Sequence, residues 1–241
     1  MLMAILLDEA RRIAWQWQKL AVVGGISFTT ILVIVIEPDL GTAALLATVL
    51  GAMAFVAGMP LRLMAAPAAI AGVALVVAIV TSPYRLARVE AFFDPQAGVA
   101  ASWQSEQSLI AIGSGGFFGL GYGSGLQKLF FLPEPHTDFI FAITGEELGL
   151  VGLMFLLGLA GIIVWRGFVI AARLEDPQRA LLAFGITAAF AIQSLIHMVV
   201  CLDLLPPKGI PLPLVSYGKT EMLVTLVSIG ILLNLSREVK A

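Results

Sequence analysis

The chain has 241 residues, of which 59% are hydrophobic and only 12% charged, with a mean hydropathy of +0.99. Average soluble domains are about 45–50% apolar and about 25% charged, so the composition excludes an ordinary soluble domain and describes an all-α integral membrane protein. A net charge of −2 does not suggest a nucleic-acid partner, and one cysteine, Cys201, excludes a disulfide framework and a cysteine-based metal site. Cys201 lies in an apolar run and reads as a small buried side chain.

The amino terminus does not read as a secretory signal. Met1 to Leu7 is apolar, but Asp8 and Glu9 follow at once and Arg11 and Arg12 come after them. Trp15, Trp17 and Lys19 suit the membrane interface. The first spanning segment is Leu20 to Ile36, broken by the run Glu37-Pro38-Asp39-Leu40-Gly41-Thr42, in which Asp39 or Thr42 can cap the next helix. A second segment runs from Leu40 to Met59 and stops at Pro60; a third runs from Met64 to Thr81, with Pro67 in its first turns, where proline is best tolerated.

Residues 82–138 form one long region without a span, and loops of that length are usually functional. Ser108 to Phe118 is apolar but too short to cross, so it is expected to be re-entrant or interfacial, and the glycines between Gly113 and Gly125 argue against a regular helix there. The fourth segment is Phe139 to about Trp165, followed by a polar turn from Arg166 to Arg179. The fifth is Ala180 to Leu202, ended by the stiff stretch Leu205 to Pro213, and the sixth is Leu214 to Leu235. The expected architecture is thus a single polytopic bundle of about six transmembrane helices over residues 1–241, with one large extracytoplasmic loop at 82–138.

Basic residues orient it. With six spans, Arg11, Arg12, Lys19, Arg62, Arg166, Arg173, Arg179, Arg237 and Lys240 share the side of both termini, and Arg85, Arg88, Lys128, Lys208 and Lys219 lie on the other. The excess places both termini in the cytoplasm and Asp138 outside. Eleven of the sixteen acids also fall on or near the outer side.

The stretch from Leu132 to Phe141 puts Pro133, Glu134, Pro135, His136, Thr137 and Asp138 directly ahead of a spanning segment. Polar groups at the lip of a bilayer are costly and more often serve function than packing. Asp138 has two readings, which can coexist: a cap or first-turn acid of the fourth segment, or a general base whose apolar surroundings tune its proton affinity. Glu146 and Glu147 lie deeper, and a buried pairing with Lys219 or Lys208 is as reasonable as a functional role. Arg85, Arg88 and Lys128 are either solvated loop charges or a phosphate clamp. The glycine run holds no G-x-G-x-x-G and follows no strand, which leaves a dinucleotide site without support. His197 reads as a hydrogen-bonded core histidine, and with His136 the only other histidine a histidine-based zinc site is not expected.

The run GSGGFFGLGYGSGLQKLFFLPEPHTDFIFAITGEELGLVG from Gly113 to Gly152 resembles the SEDS family (shape, elongation, division, sporulation), as do Glu37 to Ala43, Tyr84 to Pro95 and Leu204 to Gly218. The residues Gln127 to Phe130 and Pro207-Lys208-Gly209 look more like its division-type than its elongation-type members. The resemblance implies a bacterial cytoplasmic-membrane glycosyltransferase that polymerises lipid II into peptidoglycan, Asp138 as the essential aspartate, and a class B penicillin-binding protein as transpeptidase partner. Family members typically have ten spans and the six here match the last six, so the chain reads as truncated at its amino terminus relative to them. The tyrosine-glycine motif, usually followed by Gly-Ser-Ser, here continues Lys219-Thr220-Glu221.

The expected chemistry is inverting, with Asp138 as the one base needed. The residues expected to hold the substrate are Arg85, Arg88, Lys128, Glu134, His136 and Lys208, with a divalent cation such as Mg or Mn as an alternative neutraliser of pyrophosphate. The competing readings are a lipid II transporter (flippase) and a non-catalytic divisome scaffold.

Overall fold

A computed structural model describes residues 1–12, 17–37, 39–93, 99–130, 132 and 136–239. All regular structure among the described residues is helical: α1 (Leu2–Arg12), α2 (Trp17–Ile36), α3 (Leu40–Val56), α4 (Leu61–Val80), α5 (Pro83–Phe93), α6 (Val99–Gly115), α7 (Gln127–Phe130), α8 (Ile140–Arg173), α9 (Pro177–Cys201) and α10 (Lys219–Ser236). Four helices, α4, α8, α9 and α10, are long and apolar enough to cross a membrane, and two shorter apolar stretches, Ala21–Ile36 and Leu40–Val56, account for the other expected spans. At about 1.5 Å per residue, 17 residues reach about 26 Å, slightly short of a hydrocarbon core of about 30 Å. The protein is a multi-pass, all-helical membrane protein.

The described chain divides into two compact units. One comprises Met1–Val76, Ile163–Ile192 and Val227–Ala241; the other comprises Val77–Ile162 and Gln193–Leu226. In the first, α1, α2 and α3 pack together around Ala4, Leu7, Val23, Val49 and Met53. Asp39 caps α3 by accepting from Thr42 N at 3.0 Å, as its position ahead of an apolar run suggested. The carboxyl-terminal part of α10 joins Ile170 and Ala183 through Leu232 and Leu235, and Arg179 pairs with Glu238 there.

The second unit departs more from expectation. Within residues 82–138, α5 packs on α6, and α6 continues through Gly113 to Gly115, where the glycines had argued against a regular helix. Irregular backbone begins only at Gly116, where φ turns positive and stays so at Gly119, Gly121 and Gly123. Nor is there a polar turn from Arg166 to Arg179, because α8 runs on to Arg173 and α9 starts at Pro177. The intervening residues Phe168 to Ala172 are apolar and bury Ile170, so one helix carries two arginines and still packs. The sixth span begins at Lys219 rather than Leu214, because Leu212 to Val215 fold into a turn with Pro213 and Leu214 at its centre (Val215 N to Leu212 O, 3.2 Å; Leu214 φ 66).

α8 itself is broken at Gly149 (φ 67, ψ −164). A break inside an apolar helix frees backbone groups that a membrane cannot hydrate. The glycine-rich turn meets them: Leu120 N and Gly121 N donate to the carbonyls of Glu146 and Glu147, and Leu150 N and Val151 N donate to those of Gly116 and Phe117, at 2.9–3.2 Å. Such close approach leaves no room for Cβ atoms; one at Gly119 would strike the Glu147 carbonyl, and one at Gly115 the Gly145 carbonyl.

Candidate functional site

All the candidate site residues the structure describes lie in the second unit. Asp138 stands in the turn at 136–139, ahead of α8 rather than in its first turn, and its side chain is half-buried. Phe139, the next residue, and Cys201, whose Sγ lies 3.8 Å from the Asp138 carbonyl, belong to a buried apolar cluster with Phe141, Ala142, Ile143, Met198 and Leu212. Gly209 faces the carboxylate closely enough that a Cβ there would sit 3.1 Å from Asp138 Oδ2. The loop between α9 and α10 is therefore one wall of the site, and a side chain at 209 would intrude on the acid.

Hydrogen bonds fix both sides of this contact. Tyr217 N donates to His136 O at 2.9 Å, and Ser216 Oγ donates to Thr137 O at 2.7 Å while accepting from Leu212 N at 2.7 Å. From α9, His197 Nδ1 meets Ile210 O at 2.8 Å, Gln193 Nε2 donates to Pro211 O at 3.0 Å and to Glu221 Oε1 at 2.8 Å, and Cys201 Sγ lies 3.8 Å from Asp138 O. Ser108 of α6 donates to Cys201 O at 2.7 Å. Cys201 and His197 are almost completely buried, in keeping with the structural role their sequence context suggested.

The expected substrate-holding residues separate. Arg88 Nη1 donates to Pro207 O at 3.0 Å, which joins α5 to the loop that carries Lys208 and Gly209. Arg85 Nη1 instead donates to Ala78 O at 3.1 Å, near the end of α4. Lys128 is committed elsewhere: its Nζ binds Glu147 Oε1 at 2.5 Å and the Gly123 carbonyl at 3.1 Å. This corrects the expected pairing of the two deep acids with Lys219 or Lys208. Glu147 takes Lys128 and also accepts from Gly123 N at 3.0 Å, and Glu146, 2% exposed, accepts from Leu126 N and Gln127 N at 2.8 and 3.2 Å. Both acids close the glycine-rich turn onto α8. The His136 side chain is exposed beside Asp138, and Glu134, with Pro133 and Pro135, lies outside the described residues.

Among the described residues, no group of three or more His, Cys, Asp and Glu side chains is placed to hold a metal by itself. A hard cation bound mainly through substrate phosphates and water needs no such cage. Sequence reasoning missed Gln193, Ser216 and Glu221 as parts of the site. One signal was present: Gln193, His197 and Cys201 repeat at four-residue spacing along an otherwise apolar span.

Comparison with known proteins adds a lineage to this geometry. The profile of the FtsW/RodA/SpoVE family, described as "Cell cycle protein", matches residues 1–241. A relative from Halothiobacillus neapolitanus named "Probable peptidoglycan glycosyltransferase FtsW" is 43% identical over 219 residues, covering 89% of this chain and 53% of the relative. "Stage V sporulation protein E" of Bacillus subtilis is 40% identical over 214 residues, covering 88% and 58%. A solved peptidoglycan synthase complex, described for its coordination of polymerization and crosslinking, superposes with a TM-score of 0.73 at 26% identity, covering 98% of this chain and 67% of that one. The rod shape determining protein RodA of Thermus thermophilus gives 0.62 at 25% identity, covering 99% and 64%. The chain spans about half the length of the curated relatives it matches, 53% and 58% in these two cases.

Proposed function

Because this chain belongs to the FtsW/RodA/SpoVE family of cell cycle proteins, matched along residues 1–241, we propose that it polymerises lipid II into peptidoglycan strands at the outer face of the bacterial cytoplasmic membrane, with Asp138 as general base. Relatives named as peptidoglycan glycosyltransferases of the division type support the reaction class and its setting in division. The observation that carries the residue assignment is the half-buried Asp138 carboxylate against Gly209, directly ahead of the buried apolar start of α8.

The chemistry follows from what the donor brings. A polyprenyl pyrophosphate is already a good leaving group, so no acid is needed to protonate it. Asp138 takes the proton of the acceptor sugar's 4-hydroxyl as that oxygen bonds to the donor's anomeric carbon. The bond from that carbon to the pyrophosphate oxygen breaks, its electron pair leaves with the pyrophosphate, and the α-linked donor becomes a β-1,4 product in one inversion. Arg88, which donates to the Pro207 carbonyl, and Lys208, between Pro207 and Gly209 in the chain, are the cations we assign to the leaving charge. Lys128 and Arg85 act at one remove, through the turn and the end of α4 that they hold. A divalent cation of the Mg or Mn type would supply further charge neutralisation at the pyrophosphate.

The partner we assign is a class B penicillin-binding protein transpeptidase, a reading supported by the solved synthase complex. Both termini are assigned to the cytoplasm on the distribution of basic residues. The test is polymerisation of lipid II by purified protein in liposomes. Replacing Asp138 with Asn should lower the rate by about 10²–10⁴-fold, the usual contribution of a positioned base; a variant as fast as wild type ends the assignment.

A further inference from the structure

We propose that Gln193 and His197 are positioning residues: one face of α9 holds the loop between α9 and α10 in register with Asp138. This inference rests on the reading of Asp138 as the base. Gln193, His197 and Cys201 are spaced four residues apart and so line one side of the helix. Each engages a carbonyl or carbonyl region at the site: Gln193 the carbonyl of Pro211, His197 that of Ile210, and Cys201 that of Asp138 itself. A single rigid element thus sets two consecutive residues of the loop and the residue the loop faces.

The loop needs outside help for a chemical reason. Pro206, Pro207, Pro211 and Pro213 have no backbone N–H, so the segment is rich in acceptors and poor in donors. Its carbonyls look to side chains: Pro207 to Arg88, Ile210 to His197 and Pro211 to Gln193. Gln193 is itself oriented by Glu221 of α10, whose Oε1 shares the same amide donor. That accounts for a charged residue in the first turn of a membrane helix. Removing His197 leaves the buried Ile210 carbonyl without its partner, and removing Gln193 does the same to the half-buried Pro211 carbonyl, so the loop moves to find others. Lys208 and Gly209, the two residues before Ile210, move with it.

Cys201 provides a readout independent of turnover. It is the chain's only cysteine, 0% exposed, and its neighbours include His197 Nε2 at 3.7 Å. Protein reconstituted in liposomes is treated with N-ethylmaleimide, Cys201 modification is followed by mass spectrometry, and lipid II polymerisation is measured in parallel. His197→Leu is expected to raise the labelling rate at least tenfold and to lower kcat about tenfold with KM for lipid II little changed. His197→Asn, whose amide nitrogen reaches the position of Nδ1, should restore both. If His197→Leu does not fold, Gln193→Met, which removes both bonds of that amide, is read the same way.

Labelling unchanged in a folded leucine or methionine variant overturns the inference, whatever Asp138 does. Equal loss in His197→Leu and His197→Asn also overturns it, since packing rather than the donated hydrogen bond is then what matters. Opened Cys201 in a protein whose Asp138→Asn variant still polymerises at full rate refutes the base and leaves α9 as the holder of the loop.

Discussion

At Gly209 and Gly119 a missing side chain does the work, for different reasons. Gly209 keeps the space beside Asp138 clear: a Cβ would lie 3.1 Å from Oδ2 and 3.6 Å from the carboxyl carbon. Gly209→Ala is expected to displace the carboxylate by a few tenths of an ångström and to lower kcat about tenfold with KM nearly unchanged, because misplacement by about 1 Å can cost 10²-fold. Steady-state kinetics of lipid II polymerisation check this. Gly119 has φ +78, and a Cβ there would meet the backbone of Glu147. Gly119→Ala should destabilise the protein by at least about 2 kcal/mol, from left-handed strain and separation of paired backbones. Gly113, helical and exposed with nothing within 4 Å of an added Cβ, should gain about 0.5–1 kcal/mol from the same change. Thermal unfolding in detergent distinguishes the two; equal shifts would mean that the glycine-rich turn does not dock on α8.

Among elements, the broken α8 and the turn that repairs it form the most constrained part of the second unit. The break at Gly149 and the positive-φ glycines 116, 119, 121 and 123 match like two halves of one motif, joined by four backbone hydrogen bonds. Glu146, Glu147 and Lys128 fasten the far end of the turn. Lys128→Met removes the cation and leaves Glu147, its side chain 10% exposed, with only backbone donors. Breaking one side of a largely buried pair costs roughly 3–5 kcal/mol. Here Glu147 keeps the Gly123 N–H, so a loss of about 2–3 kcal/mol is expected. It should appear in hydrogen exchange as faster opening of residues 116–126 with α9 unchanged; protection as in wild type would show that the ion pair contributes nothing to the turn. The end of α9 shows a similar local solution. Leu204 N bonds Val199 O and Asp203 N bonds Val200 O, with Asp203 at φ 54 in the position glycine usually takes, and this turns the chain sharply into the proline-rich loop.

For the whole molecule, the physical question is which face meets which side of the membrane. The proposed topology, drawn from the distribution of basic residues, has the termini in the cytoplasm and the glycine-rich turn outside. Because Cys201 is buried, introduced cysteines are read without background. Tyr122→Cys, at a position 90% exposed, should react with a membrane-impermeant maleimide added to intact spheroplasts. Arg237→Cys, also at an exposed position, should react only after permeabilisation. The reverse pattern would invert the topology and remove Asp138 from the compartment where glycan strands are assembled.

Apolar runs and their breaks were enough to establish a helical membrane protein, the approximate spans, a cap at Asp39 or Thr42 and the buried character of Cys201 and His197. Hydrophobicity and proline act over a few residues and need no partner, so they are legible in one dimension. The LPEPHTDFIF stretch likewise singled out Asp138, through polar residues placed where burial is expensive. What faces what was decided only in three dimensions. Lys128 chose Glu147, the glycine run proved to be the complement of a broken helix, and Arg85 and Arg88 diverged although one helical turn separates them. Those outcomes depend on which backbone groups folding leaves without water, and no local pattern records that.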